Sequence, residues 1–478
     1  MECNKGFSSC YMILKPEKVK FLDLFRILFS TNIADKKFVE SARANEDSLD
    51  RRWLIFVSVL TQKFFNFSSK PLAFVGSLIE MWLNLLSSNR NIGRLFINLL
   101  KGKVVVPEKS SATFLSFVGH IDKRVELDKS ISRGDARYLA ALSMMASKVS
   151  YENNEYIKKA VTSHWKMELL VAGNFWNAYQ GKASTQAFIL RDNAEEHDTI
   201  VVAFRGTELF NSDDLCTDVD ISWYELPGVG KIHSGFMKAL GLQKNLGWPK
   251  ELKQEEISSG TNHPSAYYSI RDMLREILTK SPRTKYVLTG HSLGGALASL
   301  FPAILALHEE KLLLERLEGV YTFGQPRVGD DKFGEFMEEK LRENGVKYYR
   351  FVYGNDMIPR LPYDDAALMF KHFGTCIHFN RHYHGKVVEE EPNKNYFSPF
   401  GVIHMIGTAF FELIRSFTIS RTRGPDYKES WLLRAFRVMG LANPGLPAHT
   451  PQDYVNSTRL MSEELVKQLR ETTAQAMV

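Results

Sequence analysis

The run Gly290-His291-Ser292-Leu293-Gly294 constrains this chain more than any other. It reads G-x-S-x-G, a serine on a sharp turn between a strand and a helix. A side chain at either glycine position would collide with the neighbouring strand or helix. The flanks agree with that geometry. Residues 285–289 are short and β-prone, and residues 295–301 are small and apolar, as a helix packed on a sheet should be.

At 478 residues the chain has room for one large domain or two to three smaller ones. Its net charge of +6, from 61 basic and 55 acidic side chains, is too small an excess to argue for nucleic acid. That charge would suit an anionic lipid surface. The four cysteines (Cys3, Cys10, Cys216 and Cys376) are scattered and lack metal-ligand spacing. The expectation is a reducing compartment, with no disulfide framework, metal or cofactor. Residues 1–20 lack a basic stretch followed by an apolar run and a small-residue cleavage site, so no secretory signal is read.

Three textures divide the chain. Residues 1–130 look helical and apolar, and form a candidate lipid-interface region. Residues 131–478 are expected to hold an α/β domain, with strands near 186–190, 199–204, 285–289, 319–323 and 348–352. An apolar insertion lies near 397–419, with Arg415, Arg421 and Arg423 close to its end. It is expected to form a second lipid-docking element. In the first region, Ser77, Glu80, Asn84, Ser87 and Ser88 fall on one narrow helical stripe. The rest of that helix is apolar, so it lies either in a core or in a lipid interface.

A serine hydroxyl becomes a nucleophile when a histidine takes its proton and a carboxylate orients that histidine. Asp356 follows a β run and is the acid candidate; Asp364 and Asp365 lie farther from the strand. Seven histidines follow Ser292: His308, His372, His378, His382, His384, His404 and His449. His449 stands out because Thr450-Pro451-Gln452-Asp453 reads as a helix start, close to a capping box, behind a loop at 445–448. An oxyanion needs two N–H donors. Leu293 offers one, and Thr207, at the end of the 201–207 strand run, offers the other.

Together these residues resemble the class 3 (fungal-type) triacylglycerol lipases. The resemblance rests on Phe204-Arg205-Gly206-Thr207, His233-Ser234-Gly235-Phe236, the 290–294 turn, residues 322–329 and Asn355-Asp356-Met357-Ile358-Pro359, all in family order. It implies an α/β-hydrolase fold with a mostly parallel sheet. Ser292, Asp356 and His449 become nucleophile, acid and base, Thr207 and Leu293 become oxyanion donors, and 208–220 becomes a lid. The apolar N-terminal region and the 447–456 run are most similar to plant oil-body lipases, implying hydrolysis of acylglycerols on the cytosolic side of a lipid droplet or endoplasmic reticulum membrane. Two rivals share part of this pattern: a phospholipase or galactolipase A1 with the same catalytic residues, and a lipase-like scaffold without activity. The 93-residue interval from Asp356 to His449 is longer than in the compact fungal enzymes.

Overall fold

The computed structural model describes residues 11–29, 38–41, 52–177, 180–194, 197–242, 264–362, 370–394 and 399–476. Cys3, Cys10, Asp364 and Asp365 lie outside the described residues. Eight strands form the main sheet: β1 (Glu168–Asn177), β2 (Lys182–Ala194), β3 (His197–Phe204), β4 (Lys285–His291), β5 (Leu317–Phe323), β6 (Lys347–Tyr353), β7 (Thr375–Phe379) and β8 (Gly385–Val388). They lie side by side in chain order. The pairings from β3 to β7 are parallel, and those at the two margins are antiparallel. The fold is thus the expected α/β hydrolase, with the parallel part at the centre of a mixed sheet. The five expected strands are present; β1, β7 and β8 add to them.

Burial explains the sequence texture of the central strands. Ile200, Val202 and Phe204 of β3 pack into one apolar cluster with Leu288 of β4 and the helix Leu293–Leu307. Val201 and Ala203 pack into another, with Val287 and the helix Tyr138–Val149. A strand covered on both faces carries an unbroken apolar run in place of alternation. Parallel strands also end on one edge, so the turns after β3, β4 and β6 bring Thr207, Ser292 and Asp356 to the same side of the sheet.

The N-terminal stretch read as helical also contributes strand. Tyr11–Leu14 and Val39–Ser41 enter a second, six-stranded sheet with Trp223–Leu226, Gly230–His233, Gly329–Asp330 and Phe370–Lys371. The partners are distant in sequence: Leu14 N donates to Ser222 Oγ at 2.9 Å across 208 residues. Next comes α1 (Arg52–Ser88), 37 residues long and thus about 55 Å from end to end.

Glu80 and Asn84 of the polar stripe of α1 face the protein, whereas Ser87 and Ser88 at its end are exposed. Asn84 Nδ2 donates to Leu115 O at 2.8 Å, and Leu115 N donates back to Asn84 Oδ1 at 2.9 Å. Glu80 accepts from Phe117 N at 2.9 Å. Meanwhile Phe64, Phe67, Phe74, Leu78 and Trp82 point to solvent, Phe67 with 89% of its surface exposed. Over this stretch polar groups are turned inward and large apolar ones outward, while Leu54, Ile55 and Val59 at the start of the helix are buried in an apolar cluster. Glu152 supports the same docking surface, accepting from Ser116 N and Ser116 Oγ at 2.7 and 2.8 Å. Burial pushes its carboxyl up to about 7.

α2 (Ser212–Val219) occupies most of the expected lid, and α1 lies along it. Ser58 Oγ donates to Val219 O at 2.7 Å, and Cys216 Sγ lies 3.6 Å from Gln62 O. A Cβ at Gly76 would stand 2.4 Å from Phe210 Cβ.

The 397–419 insertion forms most of α3 (Pro399–Thr422), followed by α4 (Trp431–Met439) and α5 (Pro451–Arg459). Residues 445–448, read as irregular, make one helical turn. Thr450 does occupy the N-cap of α5, but its side chain makes no capping bond, and Asp453 does not close a box. Its carboxylate turns instead into a buried ion cluster. There it accepts from Arg437 Nη2 at 3.0 Å, Arg415 Nη2 at 3.0 Å and the Tyr383 hydroxyl at 2.7 Å. Arg437 also meets both carboxylate oxygens of Glu429, at 2.6 and 2.9 Å.

Two stability predictions come from these buried charges. Arg437→Met leaves Asp453 and Glu429 without their main cation and should cost about 3–5 kcal/mol in urea unfolding; a loss under about 1 kcal/mol would contradict the cluster's role. Glu152, with its folded pKa near 7 and an unfolded value near 4.5, keeps a proton in the folded state that the unfolded chain has released. Stability should therefore fall from pH 5 to 6.5 relative to Glu152→Gln, by up to about 1.4 kcal/mol per pH unit. Parallel pH profiles of the two proteins would refute this.

Candidate active site

Ser292 stands at the end of β4 with φ 58° and ψ −130°, a left-handed backbone at a non-glycine residue. The surrounding glycines make that turn possible. A Cβ at Gly290 would lie 2.1 Å from the Gly294 carbonyl carbon, and one at Gly294 would lie 2.2 Å from Phe204 O. Ser292 N donates to Phe323 O at 2.9 Å, tying the turn to β5.

The structure brings Ser292, His449 and Asp356 into one line. Ser292 Oγ and His449 Nε2 are 2.8 Å apart, and His449 Nδ1 lies 2.8 Å from Asp356 Oδ2. These partners set the tautomer: Nδ1–H donates to the carboxylate, leaving Nε2 free to accept from the serine hydroxyl. Asp356 is fully buried. Its Oδ1 accepts from Ile358 N at 2.9 Å, and its Oδ2 also accepts from the Tyr454 hydroxyl. Gly324, at φ 59°, lets the backbone pass close by; a Cβ there would stand 2.8 Å from Asp356 Oδ2 and 3.0 Å from His449.

The other histidines lie elsewhere. His308 meets the Tyr267 hydroxyl, His372 the Pro359 carbonyl, and His378 the Gly354 carbonyl. His382, His384 and His404 are exposed.

His291 holds the backbone of His449. Its Nε2–H donates to the His449 carbonyl at 2.9 Å, and its Nδ1 accepts from the Tyr151 hydroxyl at 2.8 Å. Burial, followed by the neighbouring His449, keeps its pKa well below the usual histidine range, so it stays a neutral hydrogen-bonding bridge. Thr207 sits on a loop flush with the elbow: a Cβ at Gly206 would be 2.0 Å from the Tyr151 hydroxyl and 2.4 Å from the His291 carbonyl. Thr207 Oγ1 donates to Asp218 Oδ2 of α2 at 2.7 Å. Burial pushes the Asp218 carboxyl up to about 7, with the Thr207 bond opposing. Leu293 opens the helix Leu293–Leu307 immediately after Ser292.

No sequence signal assigns a role to Tyr454, His291, Tyr151 or Asp218, although His291 lies within the 290–294 turn itself. Asp218 lay inside the expected lid and Tyr454 inside the 447–456 run, so both were near a signal. Tyr151 carried none.

A hydroxyl, an imidazole and a buried carboxylate in this order can transfer a proton away from oxygen as it attacks a carbonyl. The family model described as Lipase (class 3) matches residues 201–366, which contain Thr207, Ser292 and Asp356. Triacylglycerol lipase OBL1 of Arabidopsis thaliana is 40% identical, with 96% of each chain covered. The protein of the same name from Nicotiana tabacum is 41% identical over 86% of this chain and 84% of that one. A solved Rhizomucor miehei triacylglyceride lipase aligns at 23% identity with a TM-score of 0.41, covering 56% of this chain and 91% of that chain. This chain belongs to the class 3 lipase family and is a hydrolase of carboxylic esters.

Proposed function

We propose that the protein hydrolyses acylglycerol esters at the surface of a lipid droplet through an acyl-enzyme on Ser292. The observation that carries this reading is the unbroken hydrogen-bonded line Ser292–His449–Asp356. In the first half-reaction Ser292 Oγ bonds to the ester carbonyl carbon while its proton passes to His449 Nε2. The carbonyl oxygen becomes an oxyanion facing the N–H groups of Thr207 and Leu293. Collapse breaks the bond to the glyceryl oxygen, which leaves with the proton from His449. Water then repeats the sequence and frees the fatty acid. Asp356 accepts from the imidazole Nδ1–H, stabilising the imidazolium and fixing its orientation.

Residues 1–130 act as a lipid-interface region on a hydrolase domain spanning 131–478. The outward apolar side of α1 supports this, because its polar residues already bond to the protein and leave the aromatic side for lipid. α1 is long and apolar enough to cross a membrane. Its bonds to α2 and to residues 115–117 fit a helix lying along the surface instead.

The decisive assay offers triacylglycerol, diacylglycerol, phospholipid and galactolipid in parallel, with acylglycerols expected to turn over fastest. Dominant phospholipid or galactolipid cleavage would move the reading to an A1 phospholipase or galactolipase. Ser292→Ala should lower hydrolysis on the order of a millionfold, and His449→Ala nearly as much; wild-type rates in either variant would remove that residue from the mechanism. Combining Phe64→Ser, Phe67→Ser and Phe74→Ser should weaken droplet binding by about tenfold or more while hydrolysis of a soluble short-chain ester persists. Unchanged droplet binding would end the α1 docking role.

A further inference from the structure

α3, like α1, turns several polar residues inward beside buried Met405, Ala409 and Ile419, and leaves large apolar residues outside. Its inward side carries Thr408, Glu412 and Ser416, all buried. Glu412 accepts from the Tyr353 hydroxyl at 2.9 Å and lies 3.5 Å from Arg437. Its outward side carries Ile403, Phe410, Phe411 and Phe417, and α4 adds Trp431 and Met439. Ile403 keeps 81% of its surface exposed. Large aromatic and aliphatic groups gathered like this mark a contact surface.

Charge at the rim selects the occupant. Arg381 stacks over the Phe411 ring at 4.5 Å, and Arg434 over the Phe417 ring at 4.6 Å. Guanidinium groups therefore sit at the level of the exposed phenyls, where phospholipid phosphates meet acyl chains. At the end of α3, Arg421, Arg423 and Lys428 are exposed, against Asp426 as the exposed acid between 399 and 439.

The length of α3 would allow a membrane span. Against that, Glu412 and Arg415 in its middle are fastened to Arg437, Tyr353 and Asp453 inside the protein. It offers lipid one face while the other stays on the enzyme. A small apolar cluster of Leu83, Phe117, Ile121 and Leu433, with Leu209 and Phe210 against it, joins α1, the start of the lid segment and α4. α1 and α4 thus pack together beside the lid segment through buried residues.

We propose that α3 and α4 form a second docking element for an anionic phospholipid surface, lying flat on it. This rests on the interfacial reading of the enzyme given above. The test uses full-length protein carrying Ser292→Ala, to prevent turnover, floated with phosphatidylcholine vesicles with and without phosphatidylserine. Phe410→Ser/Phe411→Ser/Phe417→Ser should weaken binding to both by about tenfold or more, and Arg421→Glu/Arg423→Glu/Lys428→Glu should do so only where phosphatidylserine is present.

Fold is checked by soluble-ester turnover in matched proteins with Ser292 intact. If the phenylalanine variant does not fold, the charge variant, which alters only exposed side chains, decides. Unchanged binding in a folded α3 variant overturns the proposal, and loss only in the α1 variant does so while leaving the α1 role standing. Loss only in the α3 variants supports the proposal and removes the α1 role. A wild-type dimer that the phenylalanine substitutions split, with vesicle binding unaltered, overturns it in favour of a second copy of this chain.

Discussion

The site depends on holding one imidazole in place between groups 157 and 93 residues away in the chain. That task falls to α5. Tyr454 grips Asp356, and one residue earlier Asp453 is locked by Arg437, Arg415 and Tyr383. Arg124 bonds Asn456 at 2.8 Å, adding a tie from the N-terminal region. Buried charges of this kind gain little net stability against a well-packed apolar core, but losing one partner is costly. They hold the register of α5, and the reach of His449 follows from that register.

The same cluster explains why a long insertion sits between Asp356 and His449. α3 contributes Glu412 and Arg415, and α4 contributes Arg437, so the insertion helps build the support for α5. Its polar residues are used inward, which leaves apolar residues on the outside. α1 follows the same logic at the other end of the chain, with Glu80 and Asn84 bonded to residues 115–117. In both helices polar residues bond inward and large apolar residues stay exposed.

Much of the site could be read from the sequence because its signals are local. The elbow glycines answer to contacts within five residues and a crossing strand, and Asp356 follows directly on β6. The strands were legible where they were fully buried and therefore unbroken in apolar character, as in 199–204. The second sheet was not, since its strands are two to four residues long and, apart from the hairpin of Trp223–Leu226 with Gly230–His233, pair between segments well separated in the chain. The stripe on α1 was correctly spaced, but periodicity cannot tell which side meets the protein. Asp453 looked like a capping residue because its true partners, Arg415 and Arg437, come from two other helices.

The Ser292–His449 pairing is tested most directly by the site of fluorophosphonate attachment, mapped by peptide mass spectrometry in the wild type and in His449→Ala. A label on Ser292 should form readily in the wild type and be lost, or slowed by orders of magnitude, in the variant. A label on another serine, or equally fast labelling of Ser292 without His449, would contradict it.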